Sequence, residues 1–382
     1  MATLSVQIIS STEEFSSLES EWNALLSCSA TDNIFLRWEW LFTWWKIFGE
    51  KPAQLQILLV KQGETLIGIA PFYVKIEKRF GFLTERTLLF LGSGEKEEEE
   101  VFSEYLDIIC KAGEEEAVIQ SLMEFIRSQN LCDAIILFNI LSNAKTVAIL
   151  QQICVEQKIR VHSTFDIECP FISLPSNWED YLKTRTSSMR YKIRSDRRQL
   201  EAMGTIRLDK MTCLDDFESN FQELVRLHKI RWVLKQEQGT FENPKFTLFH
   251  QTIMPILFKN EHLQLWILSL FSKNIAALYN IQYNNKIYFY QAGLDPLAVP
   301  KSAVGLIISS YCIEEAIRSK RVEYDFMGGG GKDSYKKRWT DDFRIIGSIN
   351  ISLNATARFL HMTSQIVKEG KRELKGFLSK NE

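Results

Sequence analysis

The chain of 382 residues has only 8 prolines and 5 histidines, no ordered cysteine pattern and no long hydrophobic run. Each shortage closes off a class of protein. Seven cysteines, an odd number with no C-x-x-C pair and no regular spacing, exclude a disulfide framework and fit reduced core thiols. His162, His228, His250, His262 and His361 never fall at i, i+4, and no Cys/His cluster has zinc spacing, so no metal is expected. No stretch of about 18 apolar residues occurs, and the start, MATLSVQIISSTEEF, lacks a basic region ahead of an apolar core. A cytoplasmic protein is expected, neither secreted nor membrane-spanning. Charge of one sign is also missing, since 46 Lys and Arg against 48 Asp and Glu leave a formal −2, which argues against wholesale nucleic-acid binding.

What is present is ordinary globular material, 45% apolar with 12% aromatic, in a length that suits two domains of roughly 170–190 residues each. The first half reads as a strand over 4–9, a helix opened by the capping box of Ser11 and Glu14, and a second helix over FLRWEWLFTWWKIFG. Strands follow over 54–60, 65–76, 87–91 and 105–110, then a helix over 114–129, a strand over 133–139, a helix over 143–157 and strands to about 174. After Pro175 the order nearly repeats: a basic helical stretch, a strand over 206–210, helices over 213–234 and 244–259, strands over 263–270, 275–283 and 286–292, a helix from about 303, and strands over 322–326 and 344–353. Each half therefore predicts a mixed, mostly antiparallel sheet flanked by helices, an α+β fold built twice. The expected domains are 1–175, 176–354 and a basic C-terminal helix over 355–382, which either packs across the domains or lies on a membrane surface.

Chemistry concentrates at 286–339. Lys286 to Ala292 alternate like a half-buried strand; Gly293 to Val299 interrupt it, and Ser302 offers an N-cap to the next helix. That helix start has no acidic residue, so its N–H groups, with Lys301 and Ser302 beside them and Gly305 allowing close approach, form a site for a diphosphate. A plain strand-to-helix connection is the alternative. The comparable helix in the first half opens with Glu114, Glu115 and Glu116, which would repel an anion by about 0.3–1 kcal/mol per charge. Coenzyme binding is thus expected in the second half. The glycines at 328–331 do not make a nucleotide loop, because Lys332 is followed by Asp333 and the spacing is wrong.

With a diphosphate-type loop between the fourth strand and its helix, this order resembles the GNAT acyltransferase fold. The runs LHKIRW, YFYQAGLDP and VEYDFMGGGGKDSYKKRW, with the early FLRWEWLFTWW, resemble the cellulose-biosynthesis type of GNAT-related acyltransferase; Fem-type aminoacyl transferases, also tandem GNAT-like, are more distantly similar. The resemblance implies an acyl-CoA co-substrate, with acetyl-CoA foremost, and N- or O-transfer to a sugar or amino-sugar precursor of a surface polysaccharide. Fem-type transfer from aminoacyl-tRNA and a non-enzymatic scaffold are the rivals, and tRNA is a partner only in the former.

Transfer of this kind needs a backbone N–H for the acyl carbonyl, a base and good positioning. Gln291 and Ala292 on the fourth strand, with Pro300, Lys301, Ser302, Ala303, Val304 and Gly305, are the expected coenzyme contacts. Asp325, Tyr290 and Lys336 are the catalytic candidates, as base or orienting carboxylate, leaving-group acid and anion partner; a salt bridge for Asp325 and packing for Tyr290 are the plainer alternatives. Trp339 completes the family-like ending as a packing residue. The run Lys183, Arg185, Arg190, Lys192, Arg194, Arg197 and Arg198 contains only Asp196 as an acid and suits an anionic substrate, unless it is a solvated face. Arg190, Lys192, Arg231 and Trp232 are the substrate-binding candidates.

Overall fold

The computed structural model describes residues 4–79, 81, 83–299, 302–329 and 335–363. In chain order the elements are β1 (Leu4–Ile9), α1 (Thr12–Ser16), α2 (Glu19–Ser27), α3 (Trp38–Phe48), β2 (Gln54–Leu55), β3 (Ile57–Gln62), β4 (Thr65–Ala70), β5 (Phe72–Arg79), β6 (Leu83–Phe90), β7 (Ile109–Cys110), α4 (Glu115–Ser128), β8 (Ala134–Leu141), α5 (Lys145–Glu156) and β9 (Arg160–Ser173). They continue with α6 (Trp178–Thr184), α7 (Ser187–Met203), β10 (Ile206–Lys210), α8 (Phe217–Leu234), α9 (Pro244–Lys259), β11 (Leu263–Leu270), β12 (Lys273–Tyr283), β13 (Lys286–Leu294), α10 (Val304–Arg318), β14 (Glu323–Asp325) and β15 (Phe343–Ser352).

Two compact units result. The first takes the chain up to Gly94, Phe102–Asp166 and the residues from Ile346 onward; the second takes Glu95–Val101 and Ile167–Ile345. The chain thus changes unit inside β9 and inside β15, where the sequence suggests boundaries at 175 and 354. The second half of β15 pairs with β8 in the first unit, while the end of β9 pairs with β14 in the second. Strand partners chosen at this distance leave no mark on local composition.

In the first unit β1, β3, β4 and β7 form one antiparallel sheet, and β2, β5, β6, β8 and the end of β15 form another that is parallel only between β6 and β8. The Ser11 hydroxyl accepts the Glu14 N–H at 3.1 Å and the Glu14 carboxylate accepts the Ser11 N–H, so the capping box forms as the sequence spacing predicts. The strand expected over 65–76 is two, because Pro71 has no N–H to give a ladder. Trp40 and Trp44 are buried, and the Trp40 indole N–H donates to Ser103 at 2.8 Å. The tryptophan run is therefore core, each ring needing one polar partner for its N–H. Asp107 is also buried, and burial pushes its carboxyl up to about 7.

The second unit carries the sheet β10-β11-β12-β13-β14-β9, antiparallel except at β13/β14. Both units have the mixed, mostly antiparallel, helix-flanked sheets that the α+β pattern implies. Asn243 caps α9 through the N–H groups of Lys245 and Phe246, with Pro244 at the first helical position, and the helix starts where the sequence places it. α10 lays Val304, Ile307, Ile308, Cys312 and Ile313 into the core beneath β11–β13. Each of the buried valine and isoleucine side chains is worth about 1.5–3 kcal/mol, enough to fix the helix against the sheet.

Candidate active site

Two departures from a regular sheet create the site. First, β13 and β14 pair only over Lys286–Tyr288 and Glu323–Asp325, after which β14 ends and β13 runs on to Leu294. Beyond Tyr288 no strand among the described residues pairs with β13 on that side. Second, the β12/β13 register slips at Tyr290, since Tyr279 faces Gln291 while Asn280 faces Phe289. Side chains alternate along a strand, so residues 289 and 292 should face opposite ways; the extra residue at 290 turns both Phe289 and Ala292 to the α10 side. There they border a cavity of about 260 Å³ that also has Leu294, Val304, Ile308 and Trp339 in its walls. Gly293 faces the other way, onto α8.

The expected coenzyme contacts gather here. Ala292, Ser302, Ala303, Val304 and Gly305 all border the cavity, and the Ala292 N–H is met by the Gln291 Oε1 at 3.3 Å. Gln291 also donates to Thr240 at 3.3 Å. Pro300 and Lys301 lie outside the described residues. The start of α10 differs from the sequence expectation in two ways. Its N-cap is Ala303, with no side-chain cap, and the Ser302 hydroxyl donates to Gln199 at 2.7 Å instead. A carboxylate arrives from elsewhere in the fold: Asp196 on α7, buried and ion-paired with Lys192 at 2.7 Å, accepts the Ala303 N–H at 3.0 Å. The helix start that is free of acid in sequence has acid in space.

Asp325 is 1% exposed and does not border the cavity. Its carboxylate pairs with Arg344 at 3.1 Å and accepts the Met327 N–H at 2.7 Å, holding the left-handed turn (φ 57°) that ends β14. Lys336 donates to the Met327 carbonyl at 3.3 Å and to the Gly328 carbonyl, so it braces the same turn. The Tyr290 hydroxyl donates to the Val101 carbonyl, and its ring packs on His250 and Tyr279 with centroids 4.8 and 5.0 Å away.

Arg231 borders the cavity with its guanidinium 5.9 Å from the centre of the Tyr335 ring, whereas Trp232 turns its indole N–H to the Nε2 of His228 at 2.8 Å. Burial, reinforced by Arg231, pushes His228 down to about 3, so it is the neutral acceptor that this bond requires. Lys192 is spent on Asp196. Arg190 donates to the Arg185 carbonyl at 2.6 Å and lines an open groove along α7 with Arg194, Arg197 and Arg198. Much of that charge is balanced, by Glu179 at Arg194 and Glu314 at Arg197.

Tyr335 and Arg338 also border the cavity, and neither is singled out by the sequence reading. Burial raises the Tyr335 hydroxyl above its usual range, partly offset by Arg231. The signal was present in YKKRW, where a short 3-10 turn over Tyr335–Arg338 places Tyr335, Arg338 and Trp339 on the cavity and leaves Lys336 to the turn. Among the described residues no three of His, Cys, Asp and Glu gather as a metal site requires, and no helix is long and apolar enough to cross a membrane.

Residues 187–337 match the family model described as an acetyltransferase (GNAT) domain. No curated protein matches the sequence. Among solved structures the chain is similar to FemX, at 11% identity and a TM-score of 0.58 over 93% of this chain and 99% of that one. It is also similar to a conserved protein of unknown function from Bacteroides thetaiotaomicron, at 14% identity and a TM-score of 0.54 over 91% and 100%. A third likeness is to L-PGS from Bacillus licheniformis, at 10% identity and a TM-score of 0.53 over 91% and 96%. Identities this low carry the fold alone. With the family match spanning α7 to the turn after β14, the second unit carries a GNAT-type acetyltransferase domain.

Proposed function

We propose that the chain moves an acyl group, acetyl foremost, from acyl-CoA to an amine or hydroxyl of a sugar or amino-sugar precursor of a surface polysaccharide, with the donor held by the second unit. The observation that carries this reading is the gap beside β13, where an apolar cavity runs between the Ala292 N–H and the start of α10. A pantetheine arm is a narrow chain of aliphatic segments joined by two amides, and about 260 Å³ of cavity can take its thiol end. The thioester carbonyl would replace the long Gln291 contact at the Ala292 N–H and draw electron density from the carbon under attack. The acceptor bonds to that carbon, the carbon–sulfur bond breaks, and the proton released by the acceptor balances the departing thiolate.

Asp325, Lys336 and Tyr290 act in this reading by position. The first two hold the turn that keeps β14 short, and Tyr290 anchors the bulge that aims Ala292. The choice of a polysaccharide precursor rests on sequence resemblance.

Transfer from an aminoacyl ester of tRNA is a second reading, favoured by one observation. Asp196 already accepts the N–H of Ala303, the N-cap of α10, beside the position where a diphosphate would otherwise sit, and a tRNA ester brings no diphosphate. Thermal unfolding of the full chain separates the two. Acetyl-CoA or a longer acyl-CoA at 100 times its dissociation constant should add about 2.7 kcal/mol of stability, and Ala292→Leu, which fills the cavity, should remove that gain while leaving the unliganded melting temperature within a few degrees. Failure of every acyl-CoA to stabilise the wild-type chain would sink the first reading.

A further inference from the structure

The cavity has a charge pattern that a neutral acetyl group does not use. Its walls are apolar at Phe289, Ala292, Leu294, Val304 and Trp339, yet two arginines, Arg231 and Arg338, are among the residues that border it. Arginine does not lose its proton at any working pH, so both are fixed positive charges. Pairing is common among the unit's arginines: Arg185 meets Asp341, Arg194 meets Glu179, Arg197 meets Glu314, and Arg344 meets Glu323 and Asp325. Among the described residues neither Arg231 nor Arg338 has a carboxylate within ion-pair distance.

Arg231 is half-buried and Arg338 is exposed. The aromatic rings of Trp232 and Tyr335, with centres 5.8 and 5.9 Å from the Arg231 guanidinium, flank it and restrict where it can point. A held, half-buried cation with no counter-charge among the described residues, beside an apolar hollow, carries a desolvation cost that an incoming anion would relieve.

We propose that Arg231, with Arg338 beside it, forms a carboxylate-binding subsite, so that one of the two reacting molecules presents a carboxylate in this cavity. The inference rests on the acyl-transfer reading of the same cavity. A carboxylate fits better than a phosphate, because a planar anion matches the guanidinium fork and a singly charged group loses less hydration on entering apolar walls. The carboxylate has two possible sources: the far end of a dicarboxylic acyl group, or a uronic-acid-like acceptor.

Two matched pairs of probes separate these sources by calorimetric titration of the full chain. Succinyl-CoA and butyryl-CoA differ at the acyl end only in carboxylate against methyl; glucuronate and glucose, titrated with and without acetyl-CoA, differ in the same sense as acceptors. In one pair the wild-type chain should bind the carboxylate member at least tenfold more tightly. Arg231→Gln should bring that pair to near parity while changing affinity for the neutral member less than twofold, and Arg231→Lys should restore part of the preference. Arg338→Gln should weaken the preference by a smaller factor. Equal binding of both members of both pairs by the wild-type chain would overturn the subsite, as would a preference that survives Arg231→Gln in a chain with unchanged melting temperature. If no CoA thioester binds at all, the donor reading fails separately, and the glucuronate and glucose titration without donor decides the subsite alone.

Discussion

Replacing Arg344 with leucine is expected to cost the protein about 3–5 kcal/mol of stability, the range for breaking a buried ion pair from one side. The guanidinium bridges Glu323 and Asp325, which bracket β14 and are 8% and 1% exposed, and it lies 3.9 Å from the centre of the Phe171 ring. Leucine would fill much of the same space against Phe171 but remove the guanidinium that two covered carboxylates share. Lys286 lies 3.4 Å from Glu323. A whole domain has about 5–15 kcal/mol to lose, so the variant should be partly unfolded at physiological temperature. Adding Asp325→Asn should recover part of the loss, because the neutral amide needs no counter-charge and its oxygen can still accept the Met327 N–H. Urea denaturation of the single and double variants measures both; a loss below 1 kcal/mol for Arg344→Leu would mean that the bridge is not what secures β14.

Valine at position 293 should cost about 3 kcal/mol or more, at the upper end for overpacking. A Cβ at Gly293 would lie 2.6 Å from the Leu224 carbonyl oxygen, 2.7 Å from the His228 nitrogen and 2.7 Å from the Leu227 Cβ. Two of these are main-chain atoms of α8, so no rotamer change relieves the clash and the helix must move off the strand. That movement would also reach the site, since β13 carries Ala292 and α8 carries Arg231. Donor binding should therefore fall along with the unfolding midpoint. A Gly293→Val chain that melts like wild type in circular dichroism would show that α8 packs less closely than 2.6 Å implies.

Local sequence signals mark the elements well and their long-range partners poorly. The ends of α9 follow from Asn243, Pro244 and the periodic apolar residues, all within one helix, and β11 matches its apolar run residue for residue. The order β13, loop, α10 and a short β14 is legible in the sequence, but the gap beside β13 is not, since it depends on how few residues β14 pairs with. The slip at Tyr290 is not legible either, because a bulge is set by which residue of β12 lies opposite, and nothing in KIYFYQAGL marks the extra position. Nor could the sequence place Asp196 at the start of α10, 107 residues further on. The cationic run that suits an anionic substrate also supplies the carboxylate that accepts the Ala303 N–H at the start of a neighbouring helix, with Lys192 as its counter-charge. Asp325 shows the same limit. Its place at the end of a strand drew attention to it, but Arg344, 19 residues away, is what determines its surroundings.

Hydrogen exchange of the full chain with and without acetyl-CoA tests most directly whether the second unit holds the donor. Exchange should slow at the amides of residues 289–294 on β13 and 304–309 on α10, with the acid-opened α4 of the first unit unchanged. Protection at the start of α4, or none at β13 and α10 under saturating acetyl-CoA, would contradict the assignment.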